Sequence, residues 1–413
     1  MSLRPWLVRL HRWCGLLIAL FLLVSGLTGA LISWDHELDA WLNPRLFIAQ
    51  SGPQQQVLSG LEIASRIEQT DPRLRVNYVT FAEEPGHTLL VYVEGRTDPA
   101  TGQPYVLPFN QLAVDPATAQ VQGQRMWGQV SFSRENLLPF LYKLHYSMHL
   151  PLAGGYDTGM LLMGGIAIVW FFDCFIALWL SFPNLRSWRK SLQFRWRDGG
   201  YKLHFDLHRS GGVWLWLLLA VLALTSISMN LETQLMRPLV ARFATLSPNA
   251  FDTRTAGSAQ DATLSREQIV ARAQQDGRQR GFAYPAAGLF YASAYGLYGV
   301  GFFAPGNDHG DGGLGNAWLY YDSTTGAAAG GVIPGQGSWG DIFLQAQFPL
   351  HSGRIIGTPG RVLMSLLGLA VATLSLTGLI IWAKKRRARR QQDCKRQRAA
   401  ETTAMRSLSP SGK

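Results

Sequence analysis

Four apolar runs, each long enough to cross a bilayer, constrain this chain more than any other feature. They cover about 13–33, 159–182, 211–231 and 362–383, where a spanning helix needs roughly 20 residues. Charged groups inside them are few, and Asp173 is the main one. Polar segments of about 34–144 and 232–350 separate the first run from the second and the third from the fourth. Each is large enough for a small domain of roughly 100 residues.

Lysine and arginine placement sets the orientation. Arg4, Arg9 and Arg12 precede the first run. Arg186, Arg189, Lys190, Arg195, Arg197 and Lys202 crowd the short loop between runs two and three, and Lys384-Lys385-Arg386-Arg387 follows the fourth. These three pieces are expected on the cytoplasmic side. Both polar segments are then outside, which in a bacterium with two membranes is the periplasm. The net charge of +11 mostly reflects this asymmetry, so no nucleic-acid partner is expected. The first run is longer than a signal-peptide core and no small-x-small site follows it, so it reads as an uncleaved anchor. Cys14, Cys174 and Cys394 all lie outside the polar segments, which rules out an external disulfide.

Six of the nine histidines mark the ends of these runs, and they repeat. Leu10-His11-Arg12 leads into the first run and Leu207-His208-Arg209 into the third. Leu144-His145 precedes the second and Leu350-His351 the fourth, with His149 and His204 about one helical turn from two of them. A lone histidine at such a position is commonly an interfacial cap. A matched set at both membrane faces points to function, because histidine is costly near hydrocarbon.

The order span, outer segment, span occurs twice in one orientation. Segment one predicts a helix over 58–69, strands over 76–81 and 89–93, and a hairpin about Asp115. Segment two predicts a helix from Ser265, with Gln268 placed for a capping box, strands over 288–292 and 298–303, and a strand from Trp318 entering a turn at Asp322. Parallel repeats imply a pseudo-twofold axis along the membrane normal. That axis would set His11 across from His208, and His351 across from His145 or His149. The i, i+4 pairs His145/His149 and His204/His208 would each share one helix face. They could chelate a bare ion, but they could not straddle a flat porphyrin. The expectation is therefore two metal or haem sites, one above the other, each taking one histidine from each half. Depth along the helix favours His208 over His204 on the inner side. On the outer side the choice between His145 and His149 stays open.

Several of these stretches resemble a known family. Leu10-His11-Arg12-Trp13-Cys14-Gly15-Leu16, with Val24-Ser25-Gly26-Leu27-Thr28-Gly29, resembles the first helix of the PepSY-associated transmembrane family. Leu350-His351-Ser352-Gly353 with Gly357-Thr358-Pro359-Gly360-Arg361 resembles its last, and Leu144-His145-Tyr146-Ser147-Met148-His149 and Asp206-Leu207-His208-Arg209 also fit. The resemblance implies an α-helical integral membrane protein with four transmembrane helices in two parallel repeats, each carrying a periplasmic α+β PepSY-like domain. The expected division is 1–33 for the cytoplasmic start and first span, 34–144 for the first outer domain, and 145–182 for the second span with its lead-in. A basic loop follows at 183–207, then the third span at 208–231, the second outer domain at 232–350, the fourth span with lead-in at 351–383, and a basic tail at 384–413.

The family branch that the chain resembles, haem-containing inner-membrane ferrisiderophore reductases of the ferrioxamine type, implies two b-type haems and a ferric siderophore as reactant. His11, His208, His145, His149 and His351 are the candidate iron ligands. His204 is a candidate neighbouring group, and Arg12 and Arg209 are candidate propionate partners. No Cys-x-x-Cys-His occurs, so any haem is non-covalent. No dinucleotide-binding or Walker fingerprint occurs, so electrons are expected from membrane quinol or a separate cytoplasmic reductase. Asp173 reads as a proton relay, a quinol contact or a carboxyl bonded to a neighbouring helix. Trp127, Trp318 and Trp339 read mainly as core or belt residues, the loop 306–315 as a surface loop, and His36 and His87 as surface residues. Two rival functions are ion handling through the histidine pairs and partner binding without chemistry.

Overall fold

The computed structural model describes residues 3–81 and 84–408. In chain order its helices begin with α1 (Leu3–Ile32), α2 (Asp35–Leu42), α3 (Pro44–Phe47) and α4 (Gly60–Thr70). Strands β1 (Leu74–Thr80), β2 (Leu89–Gly95), β3 (Gln111–Val114) and β4 (Val121–Arg125) follow. Next come α5 (Leu137–Ser147), a short hairpin β5 (Leu152–Ala153) and β6 (Tyr156–Asp157), then α6 (Thr158–Ser181) and α7 (Gly200–Asn230). The second half continues with α8 (Arg237–Val240), α9 (Arg266–Gln279), β7 (Ala286–Ala292), β8 (Leu297–Phe302), β9 (Ala317–Asp322), β10 (Ala328–Val332), α10 (Trp339–Ser352) and α11 (Thr358–Leu408).

The chain divides into two compact units. The first comprises Met1–Leu27, Leu162–Ser226 and Leu366–Lys413. It is built from α1, α6, α7 and α11, among the described residues the four helices long and apolar enough to cross a membrane. This is an integral membrane protein. Small residues let these helices approach closely, as is usual where no water drives packing. A Cβ added to Gly26 of α1 would lie 2.6 Å from the Gly368 carbonyl of α11. Polar groups cross-link them too: Arg4 donates to the Leu180 carbonyl at 2.7 Å, and the Trp216 indole donates to the Cys174 carbonyl at 3.2 Å. Both α1 and α7 begin before their apolar runs, so His11 and His208 sit within helices rather than ahead of them.

The second unit comprises Thr28–Leu161 and Ile227–Ser365. Its centre is one antiparallel eight-stranded sheet of order β10-β9-β8-β7-β1-β2-β3-β4. Each half supplies four strands in meander order, and the halves join where β1 pairs with β7, Val79 opposite Leu289. Each half also lays one helix on the sheet. Ile63, Ala64 and Ile67 form the buried stripe of α4, spaced for one helical face, and meet Val76, Val91 and Leu112. Ile269, Val270 and Ala273 of α9 meet Leu289, Val300 and Tyr321. Ser59 and Ser265 cap these helices, and Ser265 with Gln268 forms the reciprocal box. An ion-pair lattice ties the halves: Glu68 takes Arg266, and buried Arg75 takes Glu94 at 2.8 Å and Asp261 at 3.0 Å.

Candidate functional site

The first unit brings His11 and His208 face to face. Their ring centres are 6.1 Å apart and the planes meet at 47°. Each ring is held at Nδ1 by a different helix. The His11 Nδ1 lies 2.9 Å from both carboxylate oxygens of Asp173 on α6. The His208 Nδ1 donates to the Leu374 carbonyl on α11 at 2.9 Å, with the Thr377 hydroxyl at 3.4 Å. A histidine anchored through Nδ1–H presents Nε2 with its lone pair, the tautomer a metal ligand needs. Gly378 makes room for the second ring, because a Cβ there would lie 3.0 Å from the His208 Cε1.

An equivalent arrangement occurs in the second unit. His145 of α5 and His351 in the last turn of α10 have ring centres 6.2 Å apart, with planes at 62°. The His145 Nδ1 is 3.2 Å from the Thr28 hydroxyl, and Gly29 gives way to the ring as Gly378 does in the other unit. Burial, then the neighbouring His145, holds His351 down to about 3, so its imidazole is neutral, as metal binding requires.

His149 does not join this pair. The i, i+4 spacing predicts one helical face for His145 and His149, but α5 stops at Ser147 because Met148 adopts the left-handed conformation. His149 also has positive φ, at 54°. Its Nε2 reaches the Phe140 carbonyl at 2.9 Å and its ring stacks on Phe140 at 4.7 Å. The Pro151-Leu152-Ala153-Gly154-Gly155 turn that follows hides this break from a periodicity argument. His204 is half-buried on α7 one turn before His208.

The residues of both pairs fit a bis-imidazole haem. Metal–imidazole bonds of about 2.0 Å, with about 1.1 Å from ring nitrogen to ring centre, would put the centres of two imidazoles on one metal about 6.2 Å apart, against 6.1 and 6.2 Å here. Two further groups suit an anionic cofactor. Arg12 follows His11 and Arg209 follows His208, and the Nε of each arginine is buried without a hydrogen-bond partner. Arg12 lies over Trp13, while Arg209 lies over Phe205, 3.6 Å from Asp206, and donates to the Lys190 carbonyl.

A cavity of about 700 Å³ opens in the second unit, within the range of small-molecule sites. Its walls include α2, the β1–β2 face, α5 and the loop 306–311. Trp127, Tyr78, Tyr92 and Tyr142 supply aromatic surface, and burial raises all three phenols, Tyr92 and Tyr142 to about 12. Six carboxylates line it against three arginines. Arg125 pairs with Asp39 at 2.7 Å, Arg361 chelates Glu37 at 2.6 and 2.7 Å, and Arg354 bridges Asp311 and Asp35. His36 and His87, read from sequence as surface residues, also line the cavity. So does His309, raised by its 2.7 Å bond to Asp308. Tyr142 stands one turn before His145 on α5, and Arg354 follows the end of α10 that carries His351. Trp318 is half-buried against Phe290 and Phe303, and Trp339 is exposed.

Sequence reasoning left Asp173 open and did not find the cavity. The Asp173–His11 bond joins residues 162 apart in sequence, which no local pattern encodes. No curated protein matches the chain. The family described as the PepSY-associated TM region matches residues 8–385, and the chain belongs to that family.

Proposed function

We propose that this protein is a dihaem electron-transfer protein of the bacterial inner membrane that reduces a ferric siderophore on the periplasmic side. The observation that carries this reading is the pair of facing imidazoles, built twice, each from one histidine of each half. His11 and His208 would hold one b-type haem and His145 and His351 the other. Arg12 and Arg209 would bind propionates, and Asp173, Leu374 and Thr28 orient the rings. Bound between two imidazoles, haem supplies one-electron transfer with no open position on iron.

The repeat supports the reading. His11 and Thr28 of the first half stand at the same spacing as His208 and Thr225 of the second, and the strand order mirrors about the β1–β7 joint. The clustering of lysine and arginine supports a topology with both termini and the middle loop cytoplasmic and the two α+β segments periplasmic. The cavity beside α5 and α10 is the docking place for the ferric chelate. Its excess of carboxylates suits a neutral or cationic chelate, and its aromatic walls suit the chelate's organic shell. One electron converts Fe(III) to Fe(II), which oxygen ligands hold less firmly. Membrane quinol or a separate cytoplasmic reductase supplies that electron.

The rival in which His145 and His149 chelate an ion together lacks its geometric basis, because their shared helical face does not form. Absorbance of the purified chain tests the proposal first. A Soret band with sharp reduced α and β bands is expected, and mixing the reduced chain with a ferric hydroxamate should reoxidise it and release Fe(II) to a ferrous indicator. A colourless chain, or a haem chain that no ferric chelate reoxidises, would refute the reductase reading.

A further inference from the structure

Asp173 is a carboxylate in the middle of an apolar helix, only 6 % exposed. Such a group is costly to bury, and its position asks for a reason. Holding the His11 ring does not require a charge. An asparagine could accept the same Nδ1–H bond, and the partner ring, His208, is anchored by a neutral carbonyl. In the second unit His145 meets a hydroxyl. Both Asp173 oxygens lie 2.9 Å from the His11 Nδ1, so the carboxylate is aimed at that proton. A carboxylate drawing on Nδ1–H gives the imidazole imidazolate character and makes Nε2 a stronger donor. The nearby negative charge also acts through a low-dielectric medium. Both effects favour Fe(III) over Fe(II).

We propose that Asp173 is a positioning residue that lowers the reduction potential of the group held by His11 and His208. This rests on the dihaem reading. The change it governs is the gain of one electron at iron, with no bond formed or broken and no proton transferred at Asp173. An inner centre made more reducing in this way passes its electron outward downhill.

The test is spectroelectrochemical titration of the full-length His351→Ala chain, which keeps only the inner haem, with and without Asp173→Asn. Asp173→Asn should retain the low-spin spectrum and move the midpoint to more positive potential. The expected shift is at least tenfold in the Fe(III)/Fe(II) equilibrium, about 59 mV for one electron. Asp173→Glu should restore most of the difference. An unchanged midpoint in Asp173→Asn, or an equal shift in both variants, would overturn the proposal. So would loss of haem from a folded, monodisperse Asp173→Asn chain that Asp173→Glu does not restore. If the unsubstituted chain holds no haem, the dihaem reading fails and this inference with it. If haem is present but the midpoint does not move, only this inference fails.

Discussion

Replacing Gly29 with alanine probes the His145–His351 pair without changing either histidine. The new Cβ would lie 2.9 Å from the His145 Cε1. Carbon atoms rest about 3.5–4.0 Å apart, so the ring must retreat by about 0.6–1.1 Å. A ligand constellation tolerates displacements of about 0.5 Å. Relief by moving His145 therefore spoils its alignment with His351, and relief by moving α1 disturbs the Thr28 bond. Overpacking of this kind costs about 1–3 kcal/mol, which is roughly a 5- to 150-fold loss of affinity if it falls on the bound group. Titration of the apo chain with haemin, followed at the Soret band, reads that loss directly. Gly29→Ala should weaken one of two binding steps, and in a His208→Ala background, where only the outer group remains, it should weaken the single step by the same factor. Gly378→Ala should do this to the other step, through His208. Two unweakened steps in Gly29→Ala, or weakening confined to the inner centre, would refute the reasoning.

Asp39→Ala should strip buried Arg125 of its 2.7 Å partner and destabilise the second unit by about 3–5 kcal/mol, seen as a lowered thermal midpoint in detergent. An unchanged midpoint would show that Gln111 and the Glu135 carbonyl suffice for Arg125. Asp308 raises His309 above the ordinary value of 6.5, so the folded chain keeps that imidazole protonated to higher pH than the unfolded chain does. The pair's stabilisation is complete below about 6.5 and is lost as pH climbs through the raised value. Hydrogen exchange of residues 306–315 should speed up over that window beyond its intrinsic pH dependence, and His309→Asn should abolish the excess. A wild-type profile that matches His309→Asn would remove the pair from the loop's stability.

Much of the architecture is legible in the sequence because it follows from local rules. Ser265 with Gln268 announces the start of α9, and alternation in 89–93 announces β2, which the structure extends to Gly95. The pairing of His11 with His208 is legible for a different reason: repetition of Leu-His-Arg implies symmetry, and symmetry places equivalent residues across an axis. What stays hidden depends on tertiary contact. The β1–β7 joint pairs the end strand of one four-stranded half with that of the other, so nothing within either strand names its partner. His145 and His149 are indistinguishable by spacing until Met148 turns left-handed. The cavity gathers α2, α5, a glycine-rich loop and the start of α11, and each of those pieces taken singly looks like ordinary surface.

Haem content of single-histidine variants tests the central claim most directly. The purified chain should carry two haems, His11→Ala and His208→Ala should each lose the same one, and His145→Ala and His351→Ala should each lose the other, while His149→Ala keeps both. Loss of one haem on replacing His149 with none lost on replacing His145, or a chain in which no histidine replacement changes the count, would contradict it.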